Sequence, residues 1–123
     1  MTLSYDDNNI FARILRGEIP CGKVYEDEYA LAFNDISPKA PVHILVIPKG
    51  RYISLADFGA KAAPEAIAGF FRAVAKIAAE KDLIESGFRT IANTGTNGGQ
   101  EVPHFHVHIL GGRALGPLLS KAA

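Results

Sequence analysis

The chain has 123 residues, of which 48% are hydrophobic and 21% charged, a balance typical of one folded globular domain over residues 1–123. Thirteen Lys and Arg residues are matched by thirteen Asp and Glu residues. Because proteins that bind nucleic acid phosphates normally carry a basic excess, this neutral balance argues against a nucleic-acid partner.

The chain contains a single cysteine, Cys21, and no CxxC pair. An internal disulfide and a thiolate zinc site are therefore excluded. The first residues have neither the basic nor the apolar region of a secretory signal, and no apolar run reaches the roughly 18 residues that span a bilayer. We therefore expect a cytoplasmic protein without a membrane partner.

The first half of the sequence predicts a helix, a hairpin and a central strand. Apolar residues at helical spacing follow two aspartates and end before Gly17, which predicts a helix of about ten residues. Segments 23–26 and 29–34, separated by acidic residues, predict a small hairpin. The apolar run at 42–47 follows a proline-rich turn and predicts a central strand.

The second half predicts one long helix and two more strands. Residues 64–81 are rich in alanine, carry apolar residues at helical spacing and begin with Pro64, which suits a first helical turn. Segments 88–93 and 104–110 predict strands joined by a glycine-containing loop. This order indicates an α+β domain with two main helices and a mainly antiparallel sheet of about five strands.

Three of the four histidines stand at alternate positions near the end of the chain, at His104, His106 and His108. Alternate residues of a strand share one face, so the imidazoles would line one surface while Phe105 and Val107 point into the core. Repulsion between neighbouring charged rings would hold the middle ring, His106, neutral near pH 7. A neutral imidazole is a good nitrogen nucleophile.

The loop before this strand has the composition of a phosphate site. Its residues 98–102 include two glycines, and such a loop can turn several backbone N–H groups toward one point. Asn93, at the end of the preceding predicted strand, offers an amide donor beside that loop, although a turn-capping role explains it equally well.

The pattern at residues 104–110, three histidines alternating with apolar residues, resembles the signature of the histidine-triad (HIT) nucleotide-binding proteins. The similarity extends along most of the chain and is greatest to the Hint branch, particularly its bacterial members. The further segments that carry it are 10–20, 32–38, 41–48, 93–102 and 111–119.

The resemblance implies a hydrolase that cleaves the P–N bond of purine nucleoside phosphoramidates without a metal or other cofactor. It implies that His106 attacks the α-phosphorus, that His108 contacts the phosphate and the leaving group, and that His104 and His43 orient the other rings. It also implies a symmetric homodimer whose two sheets join into one of about ten strands.

The resemblance further implies three groups of binding residues. The phosphate contacts would come from Asn93, Gly99, Glu101 and Val102; the ribose hydroxyls would bind Asp35; and the base pocket would be lined by Ile10, Phe11, Ile14, Phe33 and Ile36. Periodicity alone explains the three helical members equally well as helix core, and a turn-capping role explains Asp35 equally well. Because Glu101 stands where many relatives have a serine, only its backbone N–H would serve the phosphate.

Three alternatives remain open at this stage. The three triad histidines could be metal ligands, although their backbones would spread some 13 Å along a strand. The chain could be a purine nucleotide sensor or adaptor that binds without turnover. It could also have another activity of the same family, such as hydrolysis of dinucleoside polyphosphates. The sequence does not indicate the physiological substrate, the choice between adenine and guanine, or the protein partners.

Overall fold

The computed structural model describes residues 4–120 and contains three helices and five strands in that range. In chain order these are α1 (Ile10–Leu15), β1 (Lys23–Glu26), β2 (Ala30–Asn34), β3 (Val42–Pro48), α2 (Leu55–Lys61), α3 (Pro64–Glu80), β4 (Phe88–Ile91) and β5 (Val107–Gly111). The strands form one antiparallel sheet in the order β1-β2-β3-β5-β4. The predicted α+β class, the hairpin and the central position of β3 are confirmed.

One face of the sheet packs against α3 and α2 and forms the larger core. Alternate residues of the central strands point to this side, including Ile44 and Val46 of β3 and Val107 and Ile109 of β5. The amphipathic α3 supplies the opposing apolar residues, which are Phe70, Ala73, Val74, Ile77 and Ala78. This is the packing that the helical spacing of apolar residues predicts.

The other face of the sheet carries a smaller apolar cluster beneath α1. Phe11 of α1 packs there on Leu31, Phe33, Leu45 and Ile47, the strand residues that alternate with those of the larger core. Because the strand period is two, each central strand contributes to both clusters. The smaller cluster leaves part of its sheet face uncovered by helix, and the histidines lie on this side.

Three element boundaries differ from the sequence predictions by more than one residue. Helix α1 has six residues rather than about ten, because the side chain of Asn9 caps it by accepting from the Ala12 N–H at 2.9 Å. The last strand begins at Val107, so His104 and His106 precede it. Strand β4 ends at Ile91, before Asn93.

Helix α2 was not predicted, although its N-terminus has a recognisable signal. Ser54 accepts from the Ala56 N–H, and the Asp57 carboxylate accepts from the N–H of Ser54 at 2.7 Å, which together form a capping box. The helix is only seven residues long and buries one large side chain, Phe58. A helix this short has little apolar periodicity for a sequence reading to detect.

A glycine within α3 has a packing role. The Tyr29 ring lies so close to Gly69 that a Cβ added there would approach the ring carbons to 2.2 Å. The helix therefore accepts the roughly 1 kcal/mol cost of glycine in order to admit the tyrosine. Within residues 4–120, no helix combines the length and the apolar character needed to cross a membrane.

Candidate active site

The four histidines gather on the sheet face opposite α3. His43 lies in β3 and His108 in β5, two adjacent strands, while His104 and His106 lie in the segment that enters β5. The alternation predicted for this segment is confirmed, since Phe105 is buried in the larger core. His104 and His106 are buried more deeply than a solvent-facing stripe would be, and Phe11 of α1 packs edge-on against both rings.

His106 occupies the middle of the cluster with its two ring nitrogens in different environments. Its Nδ1 lies 2.7 Å from the backbone carbonyl of His104, so Nδ1 carries the hydrogen and donates it. The neutral ring then has its lone pair on Nε2. Nε2 has no hydrogen-bond partner within residues 4–120. Because every fully buried side-chain N or O atom in that range has a partner, Nε2 is accessible to solvent. The 6% exposed ring, edge-on to Phe11 at 5.0 Å, thus presents an open basic nitrogen.

His104 is fully buried, at 0% exposure, and both of its nitrogens are satisfied. Its Nε2 donates to the Pro48 carbonyl at 3.1 Å, and its Nδ1 accepts from the Tyr5 hydroxyl at 2.6 Å. A carbonyl can only accept, so this pair of contacts fixes a single neutral tautomer.

His43 and His108 form the second histidine pair. The Lys39 N–H donates to His43 Nδ1 at 3.0 Å, which places the hydrogen of the neutral His43 ring on Nε2. That nitrogen donates to His108 Nδ1 at 2.9 Å. The hydrogen of His108 is therefore on Nε2, which is left as a donor toward the open side of this partly exposed residue.

Burial is the main reason that the histidines are neutral. It is the largest cause that lowers the pKa of each of the four rings, and it brings the pKa of His104 and of His108 to about 4. Repulsion from His106 lowers the pKa of both those rings as a smaller cause. The sequence prediction named repulsion as the cause and His106 as the ring most affected. It was wrong on both points, because it had no measure of how deeply the rings are buried.

The glycine loop is shaped differently from the predicted nest. The Gly99 N–H donates to the Thr96 carbonyl at 3.1 Å and the Gln100 N–H to the Gly95 carbonyl at 3.0 Å, so neither is free for a ligand. Gly99 has a φ of 73°, which favours glycine. The backbone N–H groups of Glu101 and Val102 have no partner among residues 4–120 and remain available. The predicted multi-donor loop therefore loses Gly99 and Gln100 as donors.

Asn93 and Gln100 hold that loop in place. The Asn93 amide donates to the Gly98 carbonyl at 2.6 Å, which is the turn-capping alternative for this residue. The Gln100 amide donates to the Ile53 and Val102 carbonyls at 2.6 and 3.0 Å, while its oxygen accepts from the Gly95 N–H. No motif indicated this role for Gln100, because it joins its own loop to Ile53, which is 47 residues away.

Asp35 follows β2 and faces the histidine cluster. One carboxylate oxygen accepts from the Ser37 N–H at 2.7 Å, and the other lies 3.4 Å from Nε2 of His43. The carboxylate opposes the effect of burial, since it raises the pKa of His43, His106 and His108. Its side chain is 18% exposed and so can still be reached by a ligand. Both the capping and the ligand-facing interpretation fit this geometry.

The five apolar residues assigned to the base pocket do not share one environment. Phe11 and Phe33 are buried edge-to-face with their ring centroids 5.5 Å apart, and Ile14 packs against the same cluster. Ile10 is 47% exposed and Ile36 is 98% exposed. Three of the five residues therefore belong to one apolar cluster and the two isoleucines are exposed, and the prediction that all five line a base pocket stays a prediction.

The donor atoms that come closest to forming a cation site are not those of the triad. Among residues 4–120, Asp35, His43 and His108 offer ligand atoms that all lie within 4.8 Å of one another. His104 cannot join them, because both its nitrogens are already hydrogen-bonded. The alternative in which the three alternate histidines bind one metal is therefore replaced by a different donor set.

Tyr5 is the other contributor that the sequence analysis missed. Its hydroxyl reaches a histidine 99 positions away, and Arg51 lies over its ring at 5.2 Å. No local pattern in the first nine residues signals such a contact, since it depends on where β3 and the segment before β5 meet.

The family of the chain follows from comparison with known proteins. The HIT domain model matches residues 16–115. The purine nucleoside phosphoramidase of Escherichia coli K12 is 46% identical over 114 residues, which is 93% of this chain and 95% of that protein. An uncharacterised 13.2 kDa HIT-like protein of Azospirillum brasilense is 56% identical over 98% of this chain and 99% of its own.

The fold agrees with that assignment. The solved structure of a histidine triad protein from Clostridium difficile superimposes with a TM-score of 0.84 at 46% identity, covering 94% of this chain and all of that one. With the histidine cluster in place on this fold, the chain belongs to the HIT domain family of nucleotide-binding hydrolases.

Proposed function

We propose that this protein hydrolyses the P–N bond of purine nucleoside 5′-phosphoramidates through a covalent nucleotide on His106. The observation that carries the proposal is the tautomer of His106, whose Nδ1 donates to the His104 carbonyl and leaves an unpartnered lone pair on Nε2. The E. coli relative, named as a purine nucleoside phosphoramidase, supports the same reaction class.

In the first step Nε2 of His106 attacks the α-phosphorus and forms a P–N bond to the protein. The original P–N bond breaks, and its electron pair remains on the departing amine. That amine needs a proton to leave. A bound phosphate is an anion near His108, so it raises the pKa of that ring from the value of about 4 that burial imposes in the free protein. Protonation at Nδ1 replaces the hydrogen bond that this atom accepts from His43 in the free protein. The protonated His108 can then deliver the proton from Nε2.

In the second step a water molecule attacks the phosphorus of the His106 adduct. The bond from Nε2 to phosphorus breaks, its electron pair returns to the imidazole, and His108 accepts the proton that the water loses. Nucleoside monophosphate is released, and both rings regain their starting state. The two-step route divides one difficult displacement into two with good leaving groups.

The remaining site residues bind and orient the nucleotide in this proposal. The backbone N–H groups of Glu101 and Val102 donate to phosphate oxygens, and Asp35 accepts from the ribose hydroxyls. Phe11 and Phe33 provide the apolar floor for the base. His43 sets the tautomer of His108 through their hydrogen bond of 2.9 Å.

The decisive experiment replaces His106 by Asn or Ala and uses adenosine 5′-phosphoramidate as substrate. We expect kcat to fall by about a thousandfold or more, in the range seen when a covalent nucleophile is lost. The dissociation constant of AMP should change by less than about fivefold, because the phosphate and ribose contacts are intact. Calorimetry and product chromatography measure the two quantities.

The same experiment separates hydrolase from sensor. Acid quenching of the wild-type reaction, followed by peptide mass spectrometry, should place the nucleotide on His106. A wild-type protein that binds AMP but releases no amine would establish the non-catalytic alternative. Turnover of a dinucleoside polyphosphate at a higher kcat/KM than the phosphoramidate would instead favour the other hydrolase activity.

Cation binding is the second candidate, because Asp35, His43 and His108 place their donor atoms within 4.8 Å of one another. A divalent ion held there would supply positive charge next to the phosphate site. Calorimetric titration with Zn²⁺ on wild type and His43→Ala tests this, with Cys21→Ser as the matched control for thiol binding. Tight binding lost only in His43→Ala would support it, and an unchanged chelator-treated kcat would show that the hydrolysis does not use the ion.

We also propose that two copies associate through β4, the strand at one end of the sheet order. Phe71, Phe88 and Ile91 are between 37% and 44% exposed beside an open apolar cavity of about 420 Å³ between α3 and β4. Pairing of two β4 edges would cover these residues and extend the sheet to about ten strands. Sedimentation should give twice 13.2 kDa for wild type, with Ile91→Lys shifting the equilibrium to monomer.

A further inference from the structure

Tyr5 lies outside the matched family domain, which covers residues 16–115, and yet it reaches into the histidine cluster. Its hydroxyl is 2.6 Å from Nδ1 of His104, and the two rings meet edge-to-face with centroids 5.7 Å apart. We propose that Tyr5 is a positioning residue for the reaction: it fixes the ring of His104, whose backbone carbonyl in turn holds the nucleophilic His106. This inference rests on the proposed function.

The first step from Tyr5 to His106 is the set of hydrogen bonds at the His104 ring. The ring is fully buried, and the Pro48 carbonyl requires a hydrogen on Nε2. Nδ1 is then an acceptor that only a donor can satisfy. Tyr5 is that donor, and burial raises the pKa of its phenol, which keeps the hydroxyl protonated. Without it, a buried acceptor would lose its hydrogen-bond partner, which is unfavourable in the folded protein.

The second step connects His104 to the nucleophile. The carbonyl of His104 belongs to the same residue whose ring Tyr5 anchors, and it accepts from Nδ1 of His106 at 2.7 Å. These two residues precede β5, so no strand partner holds the peptide between His104 and Phe105. Its N–H side is held by the hydrogen bond from Phe105 to the Tyr52 carbonyl at 2.7 Å. Anchoring the His104 ring on both nitrogens fixes the residue on the other side of that peptide, and the two anchors together limit the rotation of the carbonyl that aims His106.

The third step is that Tyr5 is itself held in place. The guanidinium of Arg51 lies 5.2 Å from the centre of the Tyr5 ring and binds both carboxylate oxygens of Asp7, at 2.8 and 2.9 Å. Arg16 donates to the Asp7 carbonyl at 2.7 Å. The segment that carries Tyr5 is thus bound to Arg51, three residues beyond the end of β3, and to Arg16 at the end of α1.

The experiment compares Tyr5→Phe with Tyr25→Phe. Tyr5→Phe keeps the ring packed on His104 and removes only the hydroxyl. Tyr25→Phe is the matched control, because it removes a partly buried hydroxyl that donates to Asp27 at 2.8 Å, away from the histidines. With adenosine 5′-phosphoramidate, Tyr5→Phe should lower kcat roughly tenfold and change KM by less than twofold. Tyr25→Phe should leave both constants unchanged.

A spectroscopic reading separates positioning from simple stabilisation. Two-bond ¹H–¹⁵N correlation spectra report the tautomer of each imidazole and whether its basic nitrogen accepts a hydrogen bond. In wild type His104 should appear as the Nε2–H tautomer with a hydrogen-bonded Nδ1, and in Tyr5→Phe the Nδ1 signal should move to that of a free acceptor. An unchanged His104 spectrum, or a kcat within twofold of wild type, would overturn the proposal.

The two proposals fail in different ways. A wild-type protein without phosphoramidase activity would remove the proposed function, whereas the His104 spectrum would still show whether Tyr5 sets that tautomer. Normal wild-type turnover with an unaffected Tyr5→Phe variant would remove only the positioning role. A Tyr5→Phe variant that loses kcat in proportion to a lowered folded fraction, measured by its melting curve, would also count against positioning.

Discussion

The two faces of the central strands are built from alternating residues of the same segments, and they differ in what they bury. On the α3 side, Val107 and Ile109 of β5 enter an entirely apolar core. On the other side, His106 is buried and His108 partly buried among hydrogen-bond partners and aromatic rings. Close packing fixes the side chains of the first face, whereas directional hydrogen bonds fix those of the second.

This difference explains how a chain of 123 residues holds four imidazoles in defined tautomers. The apolar face fixes the strand positions without using any polar group. The opposite face can then bury neutral histidines, whose desolvation would otherwise disfavour folding, because each interior nitrogen has a partner. The nitrogen of His106 without a partner among residues 4–120 is also the one that the proposed reaction needs.

The largest expected effect is on the apolar face. Phe105 is 1% exposed and stacks on Phe58 with centroids 4.8 Å apart. Phe105→Ala should lower the free energy of unfolding by about 3–5 kcal/mol, the usual cost of removing a buried phenylalanine. Urea denaturation measures it, with Leu118→Ala at an 85% exposed position as the control that should change little. A decrease in the free energy of unfolding of less than about 1 kcal/mol would contradict the view that close packing orders this face.

The histidine face should make stability depend on pH. In the unfolded chain imidazoles bind protons near pH 6.5, whereas the folded protein holds the pKa of His104 and His108 at about 4. Between these values the unfolded state binds more protons, so stability falls as pH is lowered from about 6.5 to about 4. Melting temperatures across this range measure the effect.

A matched variant assigns the effect to the ring. His108→Asn should make the melting temperature less dependent on pH over the same interval, because one of the two rings with a strongly lowered pKa is absent. At pH 7.5 the melting temperature of the variant should stay near that of wild type. Titration of the ring by NMR gives an independent reading. If His108 titrated near 6.5 in the folded protein, burial would not be the dominant influence on this face.

A smaller effect is expected at the rim of the histidine face. Asp35→Asn should lower kcat/KM for the ribonucleoside phosphoramidate about tenfold and leave that for the 2′-deoxy analogue within about twofold, because the carboxylate would no longer accept from the ribose hydroxyls. Asp82→Asn is the control, since Asp82 is exposed and has a φ of 58° that asparagine tolerates. Equal losses with both substrates would restrict Asp35 to its contacts with Ser37 and His43.

The sequence alone predicted the α+β class, the hairpin, the central strand and the long helix. These elements depend on local spacing of apolar residues, which survives into the fold because each buried face follows the period of its element. The same period placed Phe105, Val107 and Ile109 in the core. Helix α2 was not predicted because seven residues are too few to show the helical period of apolar residues.

The tertiary structure determined the pKa and the hydrogen-bond partners of the histidines. Alternation put the three imidazoles on one face, but the burial of His104 and His106 against Phe11, which lowers the pKa of both rings, arises only when α1 packs on the sheet. Contacts such as Tyr5 with His104 and His43 with His108 join residues 99 and 65 positions apart. A sequence motif records which donors and acceptors exist, whereas their direction and desolvation depend on the segments that folding brings around them.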